Sequence, residues 1–243
     1  IVDHIADCDD CRMTIVDAAE FIEPAKVESQ GNWWMGIAAS LMLVAAIGGL
    51  TYRQFRDPEA DVKKQYAKVP NRPLEARLSG YPYVRRGVNR GTEDEKPIQL
   101  EIMQGEAANL MQLDGTDAKT LHAKGIGFLL ADGDENRKQS IARLQAAAEA
   151  DPKNAKYQSD LAAALIAAAR NDRPMLERAL AATDRALRID PNSADALFNR
   201  AVALQALERP EAVAAYERYL AVDSTSAWAD EARTHIELLR LLR

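Results

Sequence analysis

The sequence predicts an all-α protein with a single transmembrane helix followed by a solenoid of helical hairpins. Three observations lead to this fold class. Aromatic residues make up only 6% of the 243 residues, and alanine and leucine are abundant. Apolar residues recur at helical spacing from about residue 100 onward. One stretch of 20 residues, 33–52, carries no charge. Together they favour an almost wholly helical protein.

The first element, residues 1–28, contains both cysteines of the chain in the stretch HIADCDDC. His4, Cys8 and Cys11 are spaced so that a helix places all three side chains on one face. Imidazole and thiolate are zinc ligands, so these residues predict a zinc site. A closed site needs a fourth ligand, which would be a carboxylate, water or a residue preceding Ile1. The alternatives are a redox pair and two buried thiols, neither of which gives His4 a role.

The pattern H-x3-C-x2-C, with Arg12 next and a membrane span shortly after, resembles the end of the zinc-binding anti-sigma factor domain. The resemblance implies that this segment binds zinc and sequesters a sigma factor. In that family an earlier cysteine, one helix upstream, supplies the remaining ligand. Since the chain begins at Ile1 within a predicted helix, we expect it to be part of a longer protein.

The second element, residues 33–52, is the predicted transmembrane helix. Its length of about 30 Å matches the hydrocarbon core of a bilayer. Trp33, Trp34 and Tyr52 occupy the two ends, where aromatic rings favour the headgroup level. A buried core helix is the alternative, and a cleaved signal peptide fits less well because its basic leading region is missing.

Two features of the sequence predict opposite orientations for this span. Thiolate ligands favour a reducing compartment, which places the zinc segment in the cytoplasm. The positive-inside rule favours a cytoplasmic C-terminus, because Lys and Arg are more frequent after the span than before it. We predict a single-pass protein of the bacterial inner membrane with its N-terminal segment in the cytoplasm.

The third element, residues 53–117, is predicted to be a juxtamembrane linker with some helix. Prolines push their preceding residues toward extended conformations, so we expect no long helix before about residue 98. The prolines lie at positions 58, 70, 73, 82 and 97.

The fourth element, residues 118–243, contains a repeat. Three segments end alike, namely SIARLQAAAEADPKNA, ALAATDRALRIDPNSA and AVAAYERYLAVDSTSA. Pro152, Pro191 and Ser224 follow one another at intervals of 39 and 33 residues, near the ~34 of a helical-hairpin repeat. These segments resemble tetratricopeptide (TPR) repeats, about three of them followed by the closing helix SAWADEARTHIELLRLL.

The resemblance implies a groove, lined by the first helix of each hairpin, that binds peptides or partner proteins. Aligning the repeats places Ala123, Asp160, Asn199 and Asp230 at one groove-lining position. We predict Asp160, Asn199 and Asp230 as partner-binding residues. Because the lysines of a carboxylate clamp are missing, a basic or neutral peptide suits this groove better than an acidic one. The alternative is that these side chains are solvated surface.

The function class follows from composition and missing motifs. A net charge of −6 gives no reason to expect direct binding of nucleic acid. The chain has no P-loop, nucleotide fingerprint or hydrolase motif, so we predict a protein that is not an enzyme. The predicted function is a membrane-anchored regulator or adaptor that binds protein partners through its TPR groove. The alternatives are a scaffold for an envelope assembly and the targeting part of a larger protein with a caspase-like protease domain, with a vestigial zinc segment in both.

Overall fold

A computed structural model describes residues 57–86 and 98–242 of the chain. The chain divides into two compact units, residues 1–56 and 57–243. The predicted zinc ligands His4, Cys8 and Cys11 and the predicted span, residues 33–52, lie outside the described residues. Among the helices that are described, none combines the length and apolarity needed to cross a bilayer.

The described residues are all-α, as the sequence predicts. Seven helices belong to the region of the predicted repeats, and two precede it. The helices in chain order are α1 (Ala60–Tyr66), α2 (Ile98–Met111), α3 (Ala118–Ala131), α4 (Asp134–Ala150), α5 (Ala155–Ala169), α6 (Arg173–Ile189), α7 (Ala194–Ala206), α8 (Ala212–Val222) and α9 (Ala227–Leu241).

Helices α3 to α8 form three hairpins, in which α3 packs on α4, α5 on α6 and α7 on α8. Adjacent hairpins are joined by contacts between α4 and α5 and between α6 and α7, and α9 packs on α8. The first helices α3, α5 and α7 also contact one another in sequence order. This confirms the predicted stack of helical hairpins and its closing helix.

The repeated sequence features set the ends of the helices. Each second helix ends at the aspartate that begins the repeated turn, Asp151, Asp190 or Asp223. The next first helix begins after a short polar turn, where Ser193 and Ser226 accept hydrogen bonds from the backbone N–H three residues on. Such N-caps satisfy amides that have no partner inside the helix. The recurring turn therefore fixes the register of every hairpin.

The core of the last hairpin is aromatic. Phe198 of α7 is fully buried and makes edge-to-face contacts with Tyr216, Tyr219 and Trp228, at ring-centre distances of 6.0, 5.3 and 4.9 Å. Aromatic pairs in this geometry add about 0.5–1.5 kcal/mol beyond the burial of their area. These contacts tie α7, α8 and α9 together.

Residues 57–86 differ from the predicted linker, because they pack against the hairpins. Six apolar residues between positions 67 and 86 are at most 6% exposed, namely Val69, Leu74, Ala76, Leu78, Tyr81 and Val84. The prolines prevent a long helix here, as expected, but an extended chain buries every second side chain and so joins the core.

Two glycines of α3 allow neighbouring helices to approach closely. A Cβ on Gly127 would lie 2.6 Å from the backbone oxygen of Ala107 in α2, and a Cβ on Gly125 would lie 2.6 Å from Leu144 Cγ in α4. These contacts explain the glycines of the KGIGF stretch as packing residues.

We expect Gly127→Ala to lower the free energy of unfolding by about 1–3 kcal/mol, because the obstructing atom is backbone and cannot rotate away. Gly105→Ala in α2 is the control, since no atom lies within 4 Å of its Cβ position. It should stabilise the helix by about 0.5–1 kcal/mol. Urea unfolding of the full chain in non-ionic detergent, followed by circular dichroism, measures both. Equal effects of the two substitutions would contradict this packing.

Candidate peptide-binding groove

The candidate site is the face of α5, α7 and α9 that carries Asp160, Asn199 and Glu231, called here the groove face. Residues 67–86 of the same chain, called here the inner segment, lie against it. Hydrogen bonds join the two over separations of 81 to 159 residues in sequence. The predicted binding face is therefore occupied by the protein's own chain.

Asn199 holds the backbone of Arg77 from both sides. Its Oδ1 accepts a hydrogen bond from the Arg77 N–H at 2.7 Å, and its Nδ2 donates to the Arg77 carbonyl oxygen at 2.9 Å. The amide thus replaces the neighbouring strand that would pair with this residue in a sheet. Such a contact recognises the peptide backbone and does not depend on which side chain the bound residue carries.

Asp160 holds the backbone two residues further on. Its Oδ1 accepts a hydrogen bond from the Ser79 N–H at 2.8 Å. Ser79 lies in a turn in which the Tyr81 N–H donates to the Leu78 carbonyl oxygen at 3.2 Å, and the groove face holds the amides of both Arg77 and Ser79. Asp160 and Asn199 lie at the same place in their helices, six residues after the N-caps Asn154 and Ser193.

The structure brings two of the three predicted partner-binding residues together and leaves the third apart. Asp160 and Asn199 are fully buried beneath the inner segment. Asp230 is exposed and pairs with Arg233 of its own helix at 2.6 Å. The position of α9 that corresponds to Asn199 is Ala232, and the side chain that reaches the inner segment is Glu231.

His122 of α3 forms a buried charged network with two carboxylates. Its Nδ1 lies 2.8 Å from Glu59 Oε1, and its Nε2 lies 2.7 Å from Asp160 Oδ2. Its ring stacks on Tyr157 with a centre distance of 4.7 Å. Asp160 therefore joins His122 to the inner segment, with one carboxylate oxygen for each.

The carboxylates keep His122 protonated at neutral pH. Burial lowers the pKa of His122, but the hydrogen bonds to Asp160 and Glu59 outweigh it and raise the pKa to about 9. Burial raises the pKa of Glu59, but the hydrogen bond and charge of His122 outweigh it and lower the pKa to about 2. With both ring nitrogens protonated, His122 has no lone pair for a metal ion or for base catalysis.

The described residues contain no group of three or more His, Cys, Asp and Glu side chains arranged to hold a metal ion. The network of His122, Glu59 and Asp160 fits this finding, because its histidine is a cation between two anions. We therefore assign this network to holding the inner segment and α3 together.

Arg72 organises the inner segment itself. Its Nε donates to the Leu74 carbonyl oxygen at 2.7 Å and its Nη1 to the Val84 carbonyl oxygen at 3.0 Å. Its guanidinium also forms an ion pair with Glu231 and lies over the Trp228 ring, 4.4 Å from the ring centre. Arg72 is only 4% exposed. One buried cation thus closes a loop of the inner segment and attaches it to α9.

Arg77 provides the second cationic contact. Its Nε lies 2.5 Å from Asp195 Oδ1 and its Nη1 lies 3.2 Å from Asp223 Oδ2. Nη1 also donates to the Tyr219 hydroxyl at 3.0 Å. Burial raises the pKa of Asp195 to about 6, while the charge of Arg77 opposes this rise. The backbone of Arg77 is held by α7, and its side chain by α7 and the end of α8.

Sequence reasoning missed seven residues of this site because their roles depend on contacts distant in sequence. They are Glu59, Arg72, Arg77, His122, Asp195, Asp223 and Glu231. One signal was present in the stretch LEARLS, where Leu74, Ala76 and Leu78 alternate with polar residues. That period of two is typical of an extended segment with one buried face.

No protein-family model matches the sequence, and no curated protein matches it. Among solved structures, the chain is similar to YrrB, described as a TPR protein with an unusual peptide-binding site. The two share 17% sequence identity, and the match covers 56% of this chain and 67% of YrrB with a TM-score of 0.44.

Proposed function

We propose that this chain is a membrane-anchored regulatory or adaptor protein that binds an extended segment of a protein partner on its groove face. One observation carries the groove part of the proposal. Asn199 holds the backbone of Arg77 from both sides, and Asp160 accepts from the Ser79 N–H at the turn that follows, with hydrogen bonds of 2.7 to 2.9 Å. Main-chain contacts of this kind serve any extended peptide, in the way that a sheet edge accepts an added strand.

The charges of the groove face indicate the kind of peptide. Acidic side chains surround the inner segment. Arginines of that segment neutralise three of them, and His122 of α3 pairs with Asp160. The acidic residues are Asp160, Asp195, Asp223 and Glu231. Opposite charge favours association and like charge suppresses it, so basic or neutral peptides suit this face. Phosphate backbones would be repelled, which disfavours a nucleic acid as the partner.

The membrane and sigma-factor parts of the proposal are supported by sequence. The uncharged stretch 33–52 supports a single span in the bacterial inner membrane. His4, Cys8 and Cys11 support a zinc site in an anti-sigma-like segment that sequesters a sigma factor. In this proposal the protein is not an enzyme, and its two parts bind different proteins.

A peptide array tests the groove part of the proposal. The full chain carrying Arg77→Glu and Ser79→Pro, which weaken the contacts of the inner segment, is applied in non-ionic detergent to ten-residue peptides of graded charge, beside the same chain carrying Asn199→Ala in addition. We expect peptides of positive or zero net charge to bind, and we expect Asn199→Ala to weaken their binding because it removes both backbone hydrogen bonds at one residue. Preference for acidic peptides, or binding that Asn199→Ala leaves unchanged, would contradict the proposal.

A further inference from the structure

The side chain of Arg77 fills a site formed by α7, α8 and α9, called here the arginine site. Asp195 lies in the first turn of α7, Tyr219 lies in α8, and Asp223 follows the last residue of that helix. Trp228 of α9 covers the guanidinium, whose Cζ lies 5.4 Å from the ring centre. The site thus offers two carboxylates, one hydroxyl and one aromatic ring to a single side chain.

The geometry of the arginine site suits a guanidinium better than an ammonium. Nε of Arg77 lies 2.5 Å from Asp195 Oδ1 without the alignment of a hydrogen bond, and Nη1 donates to Asp223 Oδ2 at 3.2 Å. A guanidinium presents donors in a fixed planar fork and also packs against aromatic rings, whereas lysine carries a compact charge on a flexible stem. Lysine could not contact both carboxylates with the same reach.

The arginine site lies in register with the backbone contacts. Asn199 holds the N–H and carbonyl of the same residue whose side chain enters the site, and Asp160 holds the N–H two residues later. A ligand is therefore fixed at three points: one side chain and two backbone positions. These three points define a peptide with arginine at one position and a turn directly after it.

The occupant and the site come from distant parts of the chain. The Arg77 N–H and Asn199 are separated by 122 residues in sequence. The side chains around the Arg77 guanidinium come from α7, α8 and α9, and Arg72 of the inner segment lies over the same Trp228 ring. The inner segment thus occupies the groove face as a ligand would, while it remains covalently attached to the same chain.

We propose that the groove face selects peptides with arginine at the position of Arg77, and that the inner segment is an internal competitor which a partner must displace. This inference rests on the proposed function, because it names the ligand class and the regulation of the same groove face. A tethered ligand acts at an effective concentration of about millimolar, so a free peptide binds weakly until the inner segment is released.

The test uses a variant that weakens the inner segment and leaves the groove face intact. Arg77→Glu places a like charge beside Asp195 and Asp223, and Ser79→Pro removes the N–H that donates a hydrogen bond to Asp160. The matched control is Arg85→Glu, which makes the same charge change at an exposed residue of the same segment. The probe is a fluorescent peptide with the sequence of residues 72–81, RPLEARLSGY.

Fluorescence anisotropy with the full chain in non-ionic detergent should show at least about tenfold tighter binding to the double variant than to the wild type. Arg85→Glu should bind like the wild type. A second probe with lysine at the position of Arg77 should bind the double variant about tenfold more weakly than the first probe. Circular dichroism checks that the double variant keeps its helices. The milder single variant Arg77→Ala should also bind the first probe more tightly than the wild type does, but by a smaller factor.

The outcomes separate the two proposals. If the first probe binds the wild type, the double variant and Arg77→Ala with equal affinity, the inner segment is not an internal competitor. If the lysine probe binds as tightly as the arginine probe, the arginine selectivity is excluded. If no probe binds any folded chain, the proposed function itself fails.

Discussion

Replacing His122 with glutamine is expected to lower the free energy of unfolding by about 3–5 kcal/mol, the range found when one partner of a buried ion pair is removed. The reason is that Glu59 and Asp160 contact the imidazole from opposite sides, at 2.8 and 2.7 Å. Without the cation, two buried carboxylates remain near each other in a site that water does not reach. Urea unfolding of the full chain in non-ionic detergent measures the loss.

The double variant Glu59→Gln with His122→Gln is the control for this interpretation. It removes one of the two carboxylates that His122 neutralises, so it should recover part of the stability lost in His122→Gln. A double variant that is less stable than His122→Gln would contradict the assignment of His122 as the shared cation.

The same network predicts a pH dependence. The folded pKa of His122 is about 9, above its ordinary value of 6.5. A raised pKa means that the stabilisation is complete below pH 6.5 and is lost as the pH rises through 9. The loss is about 3 kcal/mol, since each pKa unit corresponds to about 1.4 kcal/mol. The wild type should therefore lose stability between pH 6.5 and 9.5, and His122→Gln should not show this decrease.

Replacing Arg72 with alanine is the second substitution for which we expect a large effect, about 3–5 kcal/mol of lost stability. Arg72 forms an ion pair with Glu231 and donates to the carbonyl oxygens of Leu74 and Val84. Its removal leaves buried acceptors without donors and one carboxylate without its cation. The inner segment should loosen along with its attachment to α9.

Arg86→Ala is the matched control on the same segment. Arg86 pairs with Glu75 at 2.8 Å, but its side chain is 53% exposed, so its loss should change the stability by at most about 1 kcal/mol. Urea unfolding compares the two variants directly. An effect of Arg72→Ala as small as that of Arg86→Ala would show that the buried ion pair does not hold the inner segment.

The hairpin stack could be predicted from sequence because its signals are local and repeated. Asp151, Asp190 and Asp223 recur at the ends of successive second helices, and a polar turn follows each of them. Helix ends depend on residues within a few positions of one another, so periodic sequence is enough to place them.

The candidate site could be predicted only in part. Asp160 and Asn199 were found because they occupy the same position in aligned repeats. The occupant of the groove face was missed, since proline spacing favours a linker and does not show where an extended chain packs. Arg72 illustrates the reason, because its carboxylate partner Glu231 lies 159 residues away in sequence. The sequence alignment placed Asp230 at the position of Asn199, although Ala232, two residues later, corresponds to it. The closing helix has no second helix that would fix the alignment.

Hydrogen exchange of residues 72–81 in the full chain is the most direct test of the claim that the inner segment lies on the groove face. Mass spectrometry should show slow exchange at Arg77 and Ser79, whose N–H groups are held by Asn199 and Asp160. Asn199→Ala should accelerate exchange in this stretch while the helices of the hairpins stay protected. Exchange of residues 72–81 in the wild type at the rate of an unstructured peptide would contradict the account.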